Sequence, residues 1–280
     1  MKPSYWYYGL VLASLVMLTV VLLHRRDWKL LVLHLSIFSM IHPFEVVILA
    51  TNGYRYMPGI FPTGVDNYLG TYISNFFIIP ASAVLIYAYS LSWRYIVGFA
   101  AIFTCIDWLF AALGIYQHFW WKSIYTGIGL IIVYAVSGWL WNGLKKRRQV
   151  LPFRFLMILL TYFSIESAIT FAVNRGGQLF KLLIAYYELS APGKLQLILA
   201  SSYHLIVSVI VALFLGIKMP LRYRTLGVGM IIVLNWAIGH FGIFVPQVGI
   251  TSHHLILVQI VSVAVLIFLF KAAKLNYLFP

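Results

Sequence analysis

The stretch Gly9–Leu23 reads GLVLASLVMLTVVLL, and the basic cluster His24-Arg25-Arg26 follows it at once. With its flanking residues, an apolar run of this length can cross the ~30 Å hydrocarbon core of a bilayer as a helix. Only Lys2 precedes the run, and no small-residue cleavage site follows it, which favours an uncleaved first span over a signal peptide. Because Lys and Arg collect on the cytoplasmic side, we expect the N-terminus to lie outside.

The composition extends this interpretation to the whole chain. Hydrophobic residues make up 62% of the 280 residues and charged residues 9%, whereas a soluble domain carries about 25% charged residues. Part of the surface must therefore face lipid. The net charge of +14 is explained by basic cytoplasmic loops and does not indicate a nucleic-acid partner. The single cysteine, Cys105, excludes an intrachain disulfide and a multi-cysteine metal site, and no cofactor is expected.

Eight further apolar runs follow the first, separated by short polar segments. The nine runs lie near 6–23, 30–50, 68–90, 95–114, 124–142, 152–173, 195–217, 225–245 and 252–270. They predict an all-α polytopic transmembrane helix bundle of about nine spans, with eight to ten as the range, in which residues 1–280 form one integral membrane domain without a soluble domain. The apolar segment Leu182–Leu189 is too short to span and could be re-entrant or interfacial.

The distribution of basic residues tests this arrangement. An external N-terminus makes the inner segments 24–29, 91–94, 143–154, 218–224 and 271–280. These segments hold fourteen of the twenty Lys and Arg residues, as expected for cytoplasmic loops. We therefore predict a cytoplasmic C-terminus and a location in the cell membrane.

Three carboxylates lie inside predicted spans, namely Glu45, Asp107 and Glu166. Each is about 12–15 residues from the inner end of its span, which places all three roughly 18–23 Å from the inner edge of the membrane. The other polar side chains at a similar depth are His42, Asn75, His204 and His240. Ionisable groups are costly inside a bilayer, so this layer is the candidate site.

Two interpretations of the layer stay open. The side chains could line one vestibule that binds a cation, relays protons or holds a polar solute. Alternatively, each carboxyl could be protonated and hydrogen-bonded to a neighbouring helix, with a role only in helix packing. His42 and Glu45 have a spacing found in metal-binding bundles, but the order is reversed and Pro43 interrupts it, so no metal site is assigned.

Asp107 allows a more specific expectation. Residues three or four positions away share its helix face, and Thr104 and Ala111 suit close contact with another helix. We therefore predict that Asp107 points into the bundle. The expected partners are Asn75, held alongside by the short 91–94 connection, and one of His42, Glu45 or His240.

The segment 51–67 is predicted to be an external cap. Its glycines and prolines forbid a regular helix, and its aromatic residues are expected to pack over the polar layer. Those aromatic residues are Tyr54, Tyr56 and Phe61.

The sequence contains no phosphate-binding glycine loop with lysine, no HExxH and no nucleophile elbow, so no catalytic residue is assigned. The leading hypothesis is a non-enzymatic transporter, a permease-like component or a small-molecule sensor. An intramembrane enzyme acting on lipid or prenyl substrates is the first alternative, and a structural or assembly partner is the second. The expected partners are membrane lipid and a small polar solute, cation or proton. The sequence does not determine the oligomeric state.

Several short motifs lie between Gly53 and Leu140, each occurring once. They include Tyr56-Met57-Pro58, Asp66-Asn67-Tyr68-Leu69-Gly70, Ser74-Asn75-Phe76, Ile106-Asp107-Trp108 and Trp120-Trp121-Lys122. Over about a third of the chain, this pattern resembles uncharacterised multi-pass membrane proteins of Gram-positive bacteria. The resemblance implies a bacterial cytoplasmic membrane and carries no catalytic residue with it.

Overall fold

The structure is a computed structural model that describes residues 2–60, 64–179, 193–217, 220–240 and 252–279. These residues form two compact units, Met1–Lys146 (unit 1) and Arg147–Pro280 (unit 2). Each unit is built from helices that pack side by side. The predicted segment Leu182–Leu189 lies outside the described residues.

Every one of the nine predicted spans coincides with a helical stretch, within a few residues. The helices of unit 1 are α1 (Pro3–Arg25), α2 (Lys29–Ala50), α3 (Gly64–Tyr72), α4 (Ile79–Ala88), α5 (Trp93–Ala112) and α6 (Ser123–Lys145). Those of unit 2 are α7 (Leu151–Leu179), α8 (Gly193–Gly216), α9 (Leu221–His240) and α10 (Ser252–Ala272). A short 3₁₀ turn, Asn276–Leu278, follows α10.

Eight stretches within the described residues are long and apolar enough to cross a membrane. The ninth, in α9, has a shorter apolar core, Thr225–Ile238. The outward faces of the helices carry large exposed apolar side chains, such as Leu12 on α1 and Ile102 on α5, which suit contact with acyl chains. The all-α membrane-bundle prediction is confirmed.

The first helix ends where the charge pattern of the sequence predicts. Arg26 adopts a left-handed conformation with φ of 49° and donates its backbone N–H to the Leu22 carbonyl, a common way to close a helix. His24 and Arg25 lie in the last turn, where positive charge favours the helix dipole. Helix α2 then begins at Lys29, so the connection between the first two spans is short.

The third span is interrupted by a π-helical turn. Helices α3 and α4 are joined by Ile73–Ile78 in π-helical conformation, and Pro80 follows at the start of α4. Proline has no N–H, so the carbonyl four residues earlier loses its helical donor. That carbonyl belongs to Phe76, and the His34 side chain of α2 hydrogen-bonds to it. The irregular turn is thereby locked to α2.

One end of unit 1 is closed by two short strands, β1 (Tyr54–Tyr56) and β2 (Tyr116–His118). They pair antiparallel, with Tyr54 opposite His118 and Tyr56 opposite Tyr116. Asp66 accepts hydrogen bonds from the backbone N–H groups of Gly59 and Ile60 at 2.6 and 2.9 Å.

Two of the three aromatic residues of the predicted cap pack against unit 1 as expected, but the prediction of no regular helix was wrong at the end of the segment, because α3 begins at Gly64. Tyr54 is buried with 6% of its surface exposed, and Tyr56 donates its backbone N–H to Asn67 Oδ1 at 2.8 Å. Phe61 lies outside the described residues. The strand pairing with β2 was not predicted, because a three-residue strand gives too short a pattern to detect.

In unit 2, α7 packs against α8 and α10, and α9 packs against the same two helices. Tyr162 on α7 and Phe270 on α10 are fully buried among them. The four helices therefore enclose one interior, which receives the polar side chains described below.

Candidate functional site: buried polar clusters

Glu45 is the centre of the first cluster and lies near the end of α2, under the two strands. It is 5% exposed, and Tyr54, Asn75 and Thr71 direct hydrogen-bonding groups at its carboxylate. Its Oε1 atom and the Asn75 Nδ2 atom are nevertheless buried without a partner of good geometry among the described residues. Asn75 therefore interacts with the carboxylate by charge–dipole attraction without a well-formed hydrogen bond. The carboxylate can still accept a hydrogen bond from another donor.

Three tyrosine rings lie beside Glu45. The ring centroids of Tyr54, Tyr56 and Tyr116 are 4.9–5.3 Å apart, and Tyr56 shares a hydrogen bond of 3.0 Å with Ser74. Glu45 and Asp107 both act electrostatically on Tyr56 and Tyr116. The tyrosine cluster thus lies within electrostatic range of both carboxylates.

The tyrosine hydroxyls of the two strands stay protonated at neutral pH. Burial raises the pKa of Tyr54 and Tyr56 well above the ordinary value of 10.0, and the negative charge of Glu45 raises both further. Burial also raises the pKa of Tyr116, with added contributions from Tyr56 and Asp107. These hydroxyls therefore act as neutral hydrogen-bond groups.

Asp107 points into unit 1, as predicted, and its side chain is 8% exposed. Its Oδ1 accepts a hydrogen bond from Ser123 Oγ at 2.7 Å, and its Oδ2 accepts one from Thr126 Oγ1 at 2.8 Å. Both donors lie in the first turn of α6, where a negative charge is favoured. Trp121 Nε1 donates to Thr126 Oγ1 at 2.9 Å, which extends the network towards the strands.

The partners expected for Asp107 were wrong. Its ionisable neighbour is His118 on β2, with Nε2 2.8 Å from Asp107 Oδ1. The ring is oriented so that Nε2 lacks hydrogen-bond geometry, and the contact is therefore an ion pair when His118 is protonated. Asn75 directs its amide at Glu45 instead. The position of His118 could have been inferred from its two-residue spacing from Tyr116, just before α6, because alternate residues of a strand share one face.

Glu166 and His204 form the central pair of unit 2. Glu166 Oε2 and His204 Nδ1 are in direct hydrogen-bond contact, and the two side chains are 1% and 9% exposed. They lie on α7 and α8. Both residues were predicted for the candidate site, but their mutual contact was not predicted.

Two further polar atoms lie on the helix face of Glu166. Tyr162 and Thr170 are four residues before and after it, and such positions share a face. The Tyr162 hydroxyl and Thr170 Oγ1 are both buried without a hydrogen-bond partner among the described residues. Glu166 acts electrostatically on Tyr162. Two buried hydroxyl groups next to the Glu166–His204 pair can therefore each form a further hydrogen bond.

A second polar group of unit 2 is fully paired. Tyr203 donates its hydroxyl to Asn235 Oδ1 at 2.6 Å, and Asn235 Nδ2 donates to Gln259 Oε1 at 2.9 Å. Gln259 Nε2 donates back to the Tyr203 hydroxyl at 2.5 Å. This ring joins α8, α9 and α10. Sequence reasoning missed it, although Asn235 and Gln259 are uncharged amides inside apolar runs and gave a detectable signal.

The remaining predicted residues have different environments. His42 is buried, with its ring centroid 5.3 Å from that of Phe38 and 6.3 Å from that of Tyr72. His240 is exposed at the end of α9 and stacks on Trp236 at 4.9 Å. It therefore does not belong to a buried cluster. The single layer of the sequence prediction becomes separate clusters within the two units.

The clusters limit the chemistry that they support. Among the described residues, no group of three His, Cys, Asp or Glu side chains is placed to hold a metal ion. Ser123 donates to Asp107 and not to His118, so these three residues do not form the base-activated nucleophile of an acyl-transfer enzyme. The clusters provide buried ionisable groups, a carboxylate–imidazole contact between Glu166 and His204 across which a proton can move, and buried polar atoms that can form further hydrogen bonds.

No family model matches the chain, and neither the curated proteins nor the solved structures include a significant match.

Proposed function

We propose that this integral membrane protein is a proton-coupled, permease-like transporter of a small polar solute in the cell membrane. The observation that carries the proposal is the Glu166–His204 pair. The carboxylate and the imidazole are in contact and are 1% and 9% exposed, so they can share a buried proton. Ionisable groups are costly inside a membrane, and a pair of this kind is therefore a candidate functional site.

The pair offers two states that a solute can distinguish. With one shared proton, the carboxylate and the imidazole neutralise each other, whereas a second proton leaves a positive charge inside the helices. The Tyr162 and Thr170 hydroxyls beside Glu166, which have no hydrogen-bond partner among the described residues, are positions where a water molecule or a solute can complete the hydrogen bonding. A solute that binds one state more tightly shifts the pair towards it, and this differential binding couples solute to proton.

The contrast with the Tyr203–Asn235–Gln259 ring supports function over packing. Packing polar groups are expected to satisfy each other, and the ring does so with three hydrogen bonds. Near Glu166, two hydroxyls stay unsatisfied within the part of the chain that the structure describes, which is costly unless a ligand or water uses them. A purely structural role predicts closed networks in both places. The excess of basic residues in the inner segments supports the cell-membrane location.

The test uses purified protein in liposomes that contain a pH-sensitive dye. A panel of amines, amino acids, carboxylates and sugars is added outside, and the internal pH is followed. At least one solute should drive a protein-dependent pH change in wild type, and Glu166→Gln should abolish it while the protein stays folded, because Gln keeps a hydrogen bond to His204 but does not ionise.

Asp27→Asn is the matched control, because it removes the charge of a half-exposed carboxylate that lies between α1 and α2. It should transport as wild type does. The proposal is overturned if no solute of the panel moves the internal pH in wild type, or if Glu166→Gln transports protons at the wild-type rate.

A further inference from the structure

Unit 1 contains a cavity that neither Glu45 nor the Glu166–His204 pair uses. Its volume is about 90 Å³, several times the 10–15 Å³ that one water molecule needs. It lies between α1, the π-helical turn, α5 and α6. The lining is mostly apolar and aromatic, and includes Tyr7, Tyr56, Phe103, Phe110 and Tyr116.

Several aromatic rings line the cavity, and the hydroxyl groups of two of them bond elsewhere in the protein. Tyr7 donates its hydroxyl to the Ile115 carbonyl at 2.8 Å, and the Tyr56 hydroxyl bonds Ser74. The Tyr7 ring centroid lies 5.3 Å from that of Phe110 and 6.4 Å from that of Tyr56. A cation in this space is therefore surrounded by aromatic rings, with which cation–π contacts can form.

One charged residue lines this cavity, and it is Asp107. Its hydrogen bonds from Ser123 and Thr126 come from neutral hydroxyls, which orient the carboxylate and do not offset its charge. His118, whose Nε2 lies 2.8 Å from Asp107 Oδ1, offsets that charge only when its imidazole is protonated. No lysine, arginine or histidine is among the lining residues. The cavity therefore combines aromatic walls with a carboxylate that is uncompensated while His118 is neutral.

A groove between α1 and α5 adjoins the cavity. The groove has a volume of about 230 Å³, and Leu10, Ile106 and Phe110 line both spaces. Gly9 also lines the groove, and a Cβ built on Gly9 would meet nothing within 4 Å. An apolar groove on the helix surface therefore lies next to the cavity, separated from it by no more than these three shared side chains.

We propose that this cavity binds the positively charged end of a small organic ammonium ion, with the alkyl part of the ligand in the α1–α5 groove. The proposal goes beyond the transport function above, because the cavity lies in unit 1 and neither Glu166 nor His204 lines it. Asp107 supplies the counter-charge, and the tyrosine and phenylalanine rings supply cation–π contacts. An anion is disfavoured by Asp107. A hard metal ion would need several oxygen ligands, and the lining offers one carboxylate.

The test measures equilibrium binding to purified protein in detergent, with no gradient and no transport. The first probes are choline and 3,3-dimethylbutan-1-ol, which have the same shape but differ in charge. Wild type should bind choline at least about tenfold more tightly, because only the cation gains the Asp107 charge and the cation–π contacts. Alkyltrimethylammonium ions of increasing length should then gain about three- to fourfold for each of the first methylenes, as apolar surface enters the groove.

Two variants locate the site. Asp107→Asn should weaken choline binding at least about tenfold, and Ile106→Trp, which fills the shared part of the groove without touching the Asp107 hydrogen bonds, should abolish binding of the longer ions. Cys105→Ser, next to these residues but on the exposed face of α5, should bind as wild type does.

The inference is overturned if the neutral alcohol binds as tightly as choline, or if a folded Ile106→Trp protein binds the longer ions unchanged. Because these measurements do not involve Glu166, binding without proton movement would remove the transport function and keep this site. Proton-coupled transport by a protein that does not bind the ammonium probes would do the reverse.

Discussion

Glu166 on α7 and His204 on α8 meet side chain to side chain in the interior of unit 2, where they are 1% and 9% exposed. Ser208, one turn later on α8, donates its hydroxyl to the His204 backbone carbonyl at 2.6 Å. The Glu166–His204 contact joins two helices that are consecutive in the chain, and the proton chemistry proposed for unit 2 depends on it.

The first prediction is that this pair is energetically coupled. His204→Leu should lower the free energy of unfolding by about 3–5 kcal/mol, because removing one partner leaves the other buried without its counterpart. Glu166→Leu with His204→Leu should cost clearly less than the two single changes together. Thermal unfolding in detergent measures the cycle, and additive effects would show that the two side chains do not interact.

The positions of the helices were predictable because lipid imposes a simple rule on the sequence. A span must satisfy its backbone internally and present apolar side chains for about 20 residues, and all nine runs found in this way are helical wherever the structure describes them. The two strands were not predictable, since three residues carry no period and their pairing joins Tyr54 to His118 across more than sixty positions.

The sequence predicted most of the residues of the candidate site but not which of these residues contact one another. Depth along a span follows from counting residues, and this identified Glu45, Asp107, Glu166 and His204 as buried. Which helices are neighbours does not follow from depth, so Asp107 was assigned Asn75 when its partner is His118. His240 was assigned to the layer because it lies at the right depth, but it faces outward.

The second prediction concerns His34 and Pro80. Because Pro80 has no N–H, the Phe76 carbonyl depends on the His34 side chain, and His34→Leu should cost about 1–3 kcal/mol by leaving that carbonyl buried and unsatisfied. Pro80→Ala restores an N–H at the helical position. In the Pro80→Ala background, His34→Leu should therefore cost much less. An equal cost in both backgrounds, measured by thermal unfolding, would refute this account of the π-helical turn.

The third prediction concerns the ring of Tyr203, Asn235 and Gln259. Asn235→Leu has nearly the same volume but removes the acceptor of Tyr203 and the donor to Gln259, so it should lower the free energy of unfolding by about 1–3 kcal/mol. Trp236→Leu, at the neighbouring exposed position, is the control and should change stability by less than about 0.5 kcal/mol. If the two variants are equally stable, the ring is not a stabilising element.

The fourth prediction concerns alkaline pH. Burial holds the pKa of Tyr54, Tyr56 and Tyr116 above 10.0 in the folded protein, whereas in the unfolded chain these groups ionise near pH 10. The folded state then binds more protons above that pH, so stability is fully present below about pH 10 and falls as the pH rises further. Tyr116→Phe should reduce this fall. Ultraviolet absorbance of tyrosinate should show ionisation of these side chains only as the protein unfolds, and their ionisation in the folded protein would contradict the prediction.

The last prediction is the orientation of the chain in the membrane. Fourteen of the twenty basic residues lie in segments assigned to the inside, and such loops resist translocation. Nine spans from an external N-terminus bring both Lys146 and Lys274 to the cytoplasm, so reporter fusions at these two positions should both give a cytoplasmic signal. The decisive part of the chain is 147–273, because α9 has an apolar core of only Thr225–Ile238 within the described residues. If α9 does not cross, the number of spans between the two fusions falls from four to three, and the Lys274 fusion reports the outside while the Lys146 fusion does not change. A fusion at Lys122, before α6, should report the outside in either case and serves as the control.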